Sequence, residues 1–211
     1  MANLHEPVCR LCRREGVKLF LKGDKCLGER CTFTRRNATP PGQHGLARRR
    51  RVSDYGVQLR AKQRARRIYG ILETQFRNYF DEAARRQGVT GTVLLQHLEQ
   101  RLDNVVYRAG LASSRKEARQ LVTHRHFAVR GRTVNVPSFQ VRPGDVVTVR
   151  ERSREVEPIT RALARGGGRP APAWLALIPE QLRVDVVRVP ERNEMDATID
   201  EQLIVEYYSR R

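Results

Sequence analysis

The segment RLDNVVYR at residues 101–108, followed by SRKEARQLV at residues 114–122, decides the fold that we expect for this chain. Apolar residues recur around the first segment at the spacing of one helix face, which ends at Gly110. These residues are Leu94 or Leu95, Leu98, Leu102, Val105 or Val106, and Ala109. Ser114 and Glu117 form a capping-box pattern, in which each side chain bonds a backbone N–H at the start of a helix. The sequence therefore predicts one helix up to Gly110 and another from Ser114.

Beyond the second helix, the apolar residues alternate with a period of two, which indicates strands with one buried face. The alternating residues are Phe127, Val129, Val134, Val136, Val147 and Val149. Glycine-containing segments at residues 130–132 and 143–145 separate them and are typical of turns. Residues 98–162 are thus predicted to form a small α/β domain of helices and a short antiparallel sheet, and the whole chain an α+β fold.

The net charge indicates a polyanionic partner. The 211 residues carry a formal charge of +18, with 41 basic residues of which 36 are arginine. Such an excess opposes compact folding through self-repulsion, and arginine bonds phosphate bidentately and stacks on bases. Nucleic acid is therefore the preferred partner. An anionic membrane is the rival, but it requires an amphipathic helix with a bulky apolar face or a lipid anchor, and neither pattern is evident.

The sequence also lacks the patterns of membrane insertion and export. No apolar run approaches the roughly 18–20 residues of a membrane span. The opening residues MANLHEP contain no hydrophobic signal-peptide core. We therefore expect a cytoplasmic protein without a membrane partner.

The charge is concentrated in the first three quarters of the chain. Residues 1–97 contain 21 basic and 8 acidic side chains, residues 98–162 contain 13 and 7, and residues 163–211 contain 7 and 8. The neutral last segment, with Trp174 as an apolar anchor, is expected to complete a domain or contact protein. One Trp, six Tyr and six Phe are too few for the stacking platform of a single-strand binder. This composition favours structured RNA or a duplex recognised by shape and backbone.

The densest positive segment spans residues 46–67, where nine basic side chains face a single acidic one, Asp54. Ser53 and Asp54 form an N-cap pattern, so the residues after them are predicted to be a basic helix. A solvated helix face usually mixes both signs, and phosphate contact explains this segment better. The predicted RNA-binding residues here are Arg48, Arg49, Arg50, Arg51, Arg60, Lys62, Arg64, Arg66 and Arg67.

A second set of basic residues lies in the predicted α/β domain. Arg115, Lys116 and Arg119 fall on the outer part of its second helix. The cations that flank the hairpin are Arg125, Arg130 and Arg132. Together these six residues are predicted to line one RNA-binding surface. His124 and His126 lie beside them, either as further phosphate donors or as ordinary solvated histidines.

All four cysteines lie in the first 31 residues, as Cys9-x2-Cys12-x13-Cys26-x4-Cys31. Two close pairs separated by a loop suit a tetrahedral thiolate site, and the surrounding lysines and arginines favour the thiolate form. We expect one structural Zn²⁺ held by Cys9, Cys12, Cys26 and Cys31, with an iron–sulfur cluster or no metal as alternatives. Four cysteines close the coordination sphere, which argues against catalytic zinc, and a reducing compartment argues against disulfides.

No catalytic constellation is present in the sequence. None of the five histidines pairs with an obvious Ser or Cys nucleophile, and RGGGRP at residues 165–170 lacks the Gly-Lys-Ser/Thr ending of a phosphate-binding loop. We therefore expect a protein that is not an enzyme. The alternative is an RNA-modifying enzyme, which needs a separate active-site domain that the flanking segments do not offer.

Residues 101–108 and 114–122, with VRGR at 129–132 and RPGD at 142–145, resemble the small RNA-binding fold named after ribosomal protein S4. Several RNA-modifying enzymes and a synthetase appendage share that block. The rest of the chain resembles the S4 family of bacterial small-subunit ribosomal proteins. The segments that carry this resemblance are the four-cysteine start, PPGQHG at 40–45, QFRN at 75–78 and EQLIVEYYSR at 201–210. The family occurs with and without the four cysteines, and this chain is similar to the cysteine-containing (zinc) form.

The resemblance implies an architecture and a set of partners. Residues 1–45 would be a zinc-bound extension, residues 98–162 an inserted RNA-binding domain, and residues 46–97 with 163–211 a mainly helical domain. The protein would be a structural constituent of the small ribosomal subunit and a primary binder of a helix junction in the 5′ domain of 16S rRNA, which nucleates 30S assembly. Contacts with ribosomal proteins S5 and S3 near the messenger entry, an influence on translational accuracy, and repression of its own mRNA are further implications.

Overall fold

The computed structural model describes residues 6–36, 38–45, 51–164 and 170–210. The helices are α1 (Val8–Glu15), α2 (Asp24–Leu27), α3 (Thr32–Arg35), α4 (Asp54–Tyr69), α5 (Glu73–Arg85), α6 (Thr90–Glu99), α7 (Leu102–Arg108), α8 (Arg115–Thr123), α9 (Glu157–Ala164) and α10 (Glu201–Ser209). The strands are β1 (Phe127–Val129), β2 (Arg132–Thr133), β3 (Val146–Val149), β4 (Leu175–Ile178) and β5 (Arg183–Val186). These elements confirm a mixed helical and antiparallel-sheet protein. None of the described helices is long and apolar enough to cross a membrane.

The chain divides into two compact units. The first comprises Met1–Leu94 with Ala197–Arg211, and the second comprises Leu95–Asp196. The domain boundary expected at residue 162 therefore differs from the structure, because the described residues from 170 to 196 belong to the second unit. The reason is strand pairing: β5, which follows that boundary, pairs antiparallel with β3, which precedes it.

Helix α4 organises the first unit together with the C-terminal helix α10, against which it packs. The Oγ of Ser53 accepts a hydrogen bond from the backbone N–H of Gly56 over 3.3 Å, which confirms the predicted N-cap. Gly70, at a φ of 66°, ends the helix in the left-handed conformation. Between these ends α4 buries Ala61, Ala65 and Ile68, and α10 buries two further residues, Ile204 and Tyr207.

The second unit is built on one five-stranded antiparallel sheet with strand order β2-β1-β3-β5-β4. Its hydrophobic core joins residues of α7 and α8 to those of the sheet and includes the fully buried Trp174. The Oγ of Ser114 caps α8 by accepting from the N–H of Glu117, which confirms the predicted start of that helix. The Glu117 carboxylate accepts from the N–H and hydroxyl of Ser113, so this box closes one residue earlier than expected.

The predicted helix through residues 94–110 is interrupted in the structure. Helix α6 ends at Glu99 and α7 begins at Leu102, because Arg101 adopts an extended conformation and forms an isolated antiparallel bridge with Gln140. The hairpin also differs from expectation. All three residues of β1 are buried, and β2 is only two residues long. The apolar residues of the stripe are nevertheless buried on both sides of the break, since two short helices can share one apolar face.

Candidate nucleic-acid interface

The residues that the structure describes include only part of the predicted basic segment. Arg48, Arg49 and Arg50 lie outside the described residues, and Arg51 is exposed immediately before α4. The other five predicted cations lie on α4 itself. The contacts of these five residues show how much of the charge on this helix is available to an external partner.

Two of the α4 cations are held by one buried carboxylate. The side chain of Glu15, at the end of α1, is 0% exposed. Its Oε1 accepts from Nη1 of Arg60 over 3.2 Å and from Nη1 of Arg67. Because a buried carboxylate is stable only when it is paired, Glu15 fixes both guanidinium groups and connects α1 to α4.

Lys62 is not placed for the RNA contact that the sequence predicted, because its side chain is only 4% exposed. Its ammonium donates to Oε1 of Glu73 over 2.6 Å and lies 4.5 Å and 5.7 Å from the ring centres of Tyr207 and Tyr208. A carboxylate and two aromatic faces already compensate this cation. Lys62 therefore stabilises the packing of α4 on α10.

The Glu73 carboxylate also interacts with Arg66 and Tyr208. Arg66 Nη1 lies 3.5 Å from its Oε2, and the Tyr208 hydroxyl donates to its Oε1 over 2.9 Å. Burial acts to raise the pKa of Glu73, but the hydrogen bonds from Lys62 and Tyr208 and the nearby cations outweigh it and lower the pKa. Arg64 Nη1 donates to the carbonyl of Thr198 over 3.1 Å. Each described cation on α4 thus has a protein partner, although the arginines keep part of their surface exposed.

On α8, the first predicted contact is held by a buried polar network. Arg115 Nε donates to Oδ1 of Asn104 over 2.8 Å, and its guanidinium lies 4.6 Å from the ring centre of Tyr107. Asn104 Nδ2 donates to Oε2 of Glu99 over 2.6 Å, which fixes the amide with its oxygen toward Arg115. Arg108 pairs with the same buried carboxylate over 2.5 Å. The network orients Arg115, which is half-buried.

The other two predicted contacts on α8 differ from each other. Arg119 Nη1 lies 3.4 Å from Oδ2 of Asp103, a carboxylate that also accepts from the buried guanidinium of Arg101 over 2.8 Å. Part of the charge of Arg119 is therefore neutralised within the protein. Lys116 is exposed. The sequence grouped these residues on one face of α8, and the structure separates a tethered arginine from a solvent-facing lysine.

The hairpin arginines also separate into two kinds. Arg130 forms an ion pair with Asp145, which is buried and also accepts from the backbone N–H of Arg142 over 2.8 Å. The sequence assigned Asp145 only to a turn, so this charge pair was missed. Arg132 is exposed at the start of β2, and Arg125 is exposed between α8 and β1. Arg125 adopts a φ of 65°, in the left-handed region.

The two histidines beside the hairpin are close to each other, with ring centres 6.2 Å apart. Nδ1 of His126 lies 2.9 Å from Oγ of Ser153. Burial, followed by the proximity of His124 and Arg150, lowers the pKa of His126. The ring of His126 is therefore held next to Ser153 and lies near other cationic groups, whereas His124 is exposed.

The sequence of this chain is similar to the sequences of known proteins along its entire length. The family profile described as "Ribosomal protein S4/S9 N-terminal domain" matches residues 3–99, and the profile "S4 domain" matches residues 100–147. The chain is 60% identical over 210 residues to small ribosomal subunit protein uS4A of Symbiobacterium thermophilum, with 100% of both chains covered. It is 56% identical to uS4 of Pelotomaculum thermopropionicum over 100% of both chains, and 55% identical to uS4 of Thermus thermophilus over 97% of both.

The chain belongs to the uS4 family. The S4 domain match contains α7, α8, β1 and β2 and ends within β3, so it holds the Asn104–Arg115 contact described above. In this uS4 member the sheet continues past the matched segment, because β4 and β5 lie between residues 175 and 186.

The four cysteines of this uS4 member form no disulfide bonds, and Cys12, Cys26 and Cys31 are buried. Burial and the other three thiols raise the pKa of Cys12, and burial with neighbouring thiols also raises that of Cys26. Burial likewise acts to raise the pKa of Cys31, but hydrogen bonds from Thr34 and the amide of Phe33 outweigh it and lower the pKa. Within the described residues, no three Cys, His, Asp or Glu side chains converge in a geometry that could hold a metal ion.

Sequence reasoning missed several residues that shape this interface. Glu15, Glu99 and Asn104 fix basic side chains from buried positions, and nothing in their local sequence distinguishes them. The exposed Arg152 and Arg154 were also missed, together with the half-buried Arg150. For these three arginines a signal was available, since RERSR places them at alternate positions directly after β3.

Proposed function

We propose that this uS4 family member is a non-catalytic structural constituent of the small ribosomal subunit that binds 16S ribosomal RNA. The observation that carries the proposal is the 60% identity to a small ribosomal subunit protein across the whole of both chains. An identity of this extent over both units argues for the same assembly role, since the RNA-binding block alone occurs in proteins of other functions.

The disposition of charge supports RNA as the partner. Exposed cations such as Arg51, Lys116, Arg125 and Arg132 occur in both units, and the excess of +18 remains after the internal pairs are formed, because each pair removes equal charges of both signs. Phosphate neutralisation with release of counterions would supply most of the affinity. Folded RNA suits this protein better than a flexible single strand, because exposed aromatic residues are few.

More specifically, the proposed target is a helix junction in the 5′ domain of 16S rRNA, bound early so that 30S assembly is nucleated there. Within the cytoplasmic subunit, the proposed neighbours are ribosomal proteins S5 and S3 at the mRNA entry side. An effect on translational accuracy and binding of its own mRNA belong to the same proposal. Its support is the full-length membership in the uS4 family.

The RNA proposal is tested by measuring the affinity of the full-length protein for the 5′ domain of 16S rRNA and for an unrelated transcript of equal length. We expect a clear preference for the ribosomal RNA, and an affinity that falls by orders of magnitude between about 50 and about 200 mM salt. Replacing Arg115, Lys116 and Arg119 by Gln together is expected to weaken binding. The control is Arg86→Gln with Arg161→Gln, which removes two exposed arginines that pair with carboxylates. Equal binding of the two RNAs by the wild-type protein would refute the proposal.

We further propose that Cys9, Cys12, Cys26 and Cys31 hold one structural Zn²⁺. Four thiols at this spacing are the donor set that zinc prefers. The backbone N–H of Lys22 donates to Sγ of Cys26 over 3.3 Å, and amides of residues 33 and 34 donate to Cys31. Such N–H donors stabilise metal-bound thiolates. Bound zinc would supply folding free energy to a segment with few apolar residues.

The zinc proposal is tested by metal analysis of the purified protein beside a Cys26→Ser, Cys31→Ser variant. We expect about one zinc per wild-type chain and a large loss of zinc in the variant. Zinc near zero in the wild-type protein contradicts the proposal. Iron together with acid-labile sulfide would show that the four cysteines hold an iron–sulfur cluster. If neither zinc nor iron is found, the four cysteines hold no metal.

A further inference from the structure

The two arginines of α8 that the sequence grouped together have partners of different charge in the structure. Arg115 and Arg119 are four residues apart and therefore lie on one face of the helix. Both side chains reach the first turn of α7, where Arg119 contacts the carboxylate of Asp103 and Arg115 contacts the neutral amide of Asn104. Two adjacent residues of α7 thus hold the two arginines in chemically different ways.

Arg119 is held within the protein by an acidic group. Its Nη1 lies 3.4 Å from Oδ2 of Asp103, and its side chain is only 12% exposed. The same carboxylate accepts from Nε and Nη2 of the buried Arg101 over 3.1 Å and 2.8 Å. Because so little of its side chain faces solvent, Arg119 offers little donor surface to an RNA phosphate. We therefore assign it to the packing of α7 against α8.

Arg115 is oriented by an amide that is itself fixed by buried contacts. Nδ2 of the buried Asn104 donates to the backbone carbonyl of Glu99 over 2.9 Å and to its Oε2 over 2.6 Å. Because both bonds of this nitrogen go to Glu99, the amide oxygen faces Nε of Arg115, which donates to it over 2.8 Å. Nε and Nη2 of Arg108 pair with the Glu99 carboxylate and keep it in place. The amide is neutral, so this contact orients the guanidinium without cancelling its charge.

The start of α8 supplies an independent argument for an external anion. Arg115 is the first residue of the helix, directly after the cap Ser114, and its guanidinium lies 4.6 Å from the ring centre of the buried Tyr107. The helix dipole places partial positive charge at this end, which disfavours a cation there and favours an anion. A cation that is oriented at this position by an amide and an aromatic ring is therefore suited to an anionic partner.

We propose that Glu99 and Asn104, which are buried and make no RNA contact of their own, are positioning residues that set the strength of the RNA contact made by Arg115. This inference rests on the RNA-binding function proposed above. It also divides the arginines of α8, because Arg119 then contributes to folding and not to RNA affinity. An arginine that is already ordered loses less side-chain entropy when its planar fork meets a phosphate.

A change of shape without a change of charge is the first test. In the full-length protein, Arg115→Lys keeps the cation but lacks the planar group that Asn104 orients. We expect this variant to bind the 5′ domain of 16S rRNA about 2- to 10-fold more weakly than the wild type, with an unchanged slope of log affinity against log salt. Wild-type affinity of Arg115→Lys would show that charge alone matters and would overturn the inference.

A double-mutant cycle separates positioning from a purely structural role. The four proteins are the wild type, Asn104→Ala, Arg115→Gln and the double variant. We expect Asn104→Ala to weaken RNA binding severalfold when Arg115 is present and to change it little in the Arg115→Gln protein. Thermal unfolding midpoints establish that each protein is folded at the assay temperature. A loss by the same factor in both backgrounds would mean that Asn104 acts on folding alone and would overturn the inference.

The division of the two arginines is measured from their salt slopes. We expect Arg115→Gln to make the slope shallower by about one and Arg119→Gln to leave it unchanged while lowering the unfolding midpoint. Arg161→Gln is the matched control, because it removes the same charge from an arginine of this unit that pairs with Glu117. A shallower slope for Arg119→Gln overturns the division.

These outcomes are distinguishable from failure of the proposed function. The proposed function fails if the wild-type protein binds an unrelated transcript of equal length as well as it binds the ribosomal RNA. The positioning inference fails if the wild-type preference is present but the cycle is additive or Arg115→Lys binds like the wild type. Arg115→Lys changes no buried residue, so it decides the question even where Asn104→Ala does not fold.

Discussion

Helix α4 and the segment from α8 to β1 both carry the basic pattern that indicates nucleic acid, yet their cations are used differently. On α4, Arg60 and Arg67 share the buried carboxylate of Glu15, and Lys62 is buried against Glu73. In the segment from α8 to β1, Lys116 and Arg125 are exposed. The more positive sequence therefore has fewer cations without a protein partner among the described residues.

Charge density along a chain is therefore distinct from the charge that remains available to a partner. A carboxylate far away in sequence can pair with a cation once the chain is folded. A buried ion pair resists exchange with an external phosphate, because breaking it leaves an uncompensated charge out of water. Predictions about RNA contacts therefore depend on which cations keep their surface exposed.

The largest expected effect concerns the carboxylate that anchors α4. Glu15→Ala leaves Arg60 and Arg67 without their shared partner, and we expect the free energy of unfolding to fall by about 3 kcal/mol. Urea unfolding followed by circular dichroism measures the loss. The control is Glu82→Ala, whose exposed pair with Arg86 should contribute less than about 1 kcal/mol. Equal losses in the two variants would show that Glu15 does not organise α4.

A second pair of variants compares the two lysines directly. Lys62→Met removes a buried hydrogen-bonded cation, and we expect it to cost about 1–2 kcal/mol of stability with an unchanged salt slope of RNA binding. Lys116→Met removes an exposed cation, and we expect nearly unchanged stability with a shallower salt slope. Urea unfolding and RNA titrations of both variants give two stabilities and two salt slopes. A shallower salt slope for Lys62→Met would place Lys62 at the RNA after all.

The pH dependence of stability tests how much Glu73 contributes to holding α4. The pKa of Glu73 is lowered in the folded protein, so its contribution to stability is fully present above the ordinary glutamate pKa of about 4.3 and is lost as the pH falls through the lowered pKa. We expect Glu73→Gln to be less sensitive than the wild type to acid in that range. Unfolding midpoints measured between about pH 6 and about pH 3 check this, and parallel curves would contradict it.

The smallest expected effect concerns His126, which lies between α8 and β1. Because the pKa of His126 is lowered, its contribution favours folding above the ordinary histidine pKa of about 6.5 and is lost as the pH falls below it. A bound phosphate would stabilise the protonated ring, so RNA should raise the pKa of His126. Titration of the histidine ring protons by NMR, with and without RNA, measures the change. An unchanged pKa in the complex argues against phosphate beside His126.

Several features of the fold were predictable because their causes are local. The caps at Ser53 and Ser114 follow from side chains that bond amides three residues away. The apolar stripe around Leu102 was read correctly as buried, but the break at Arg101 was not foreseen. That break depends on a bridge to Gln140, which is almost forty residues distant and leaves no local signal.

The sequence predicted which basic residues the candidate site contains better than it predicted how they are arranged. The sequence indicated basic residues on α4 and α8 and named His124 and His126, but it did not distinguish Lys62 from Lys116. The pairing partners of these cations come from α1, α5 and the start of α7, so their effect appears only after packing. For the four cysteines, the proposal of a zinc site rests mainly on their spacing, since thiol chemistry limits the alternatives.

Composition and neighbouring residues were enough to indicate a polyanionic partner, the helical and strand periodicities, the cysteine spacing and the family resemblance. Folding was needed to show that β5 completes the sheet of β3 and that Glu15 holds Arg60 and Arg67. These features depend on residues far apart in the chain. Burial strengthens such contacts, because a charge removed from water is stable only when it is paired.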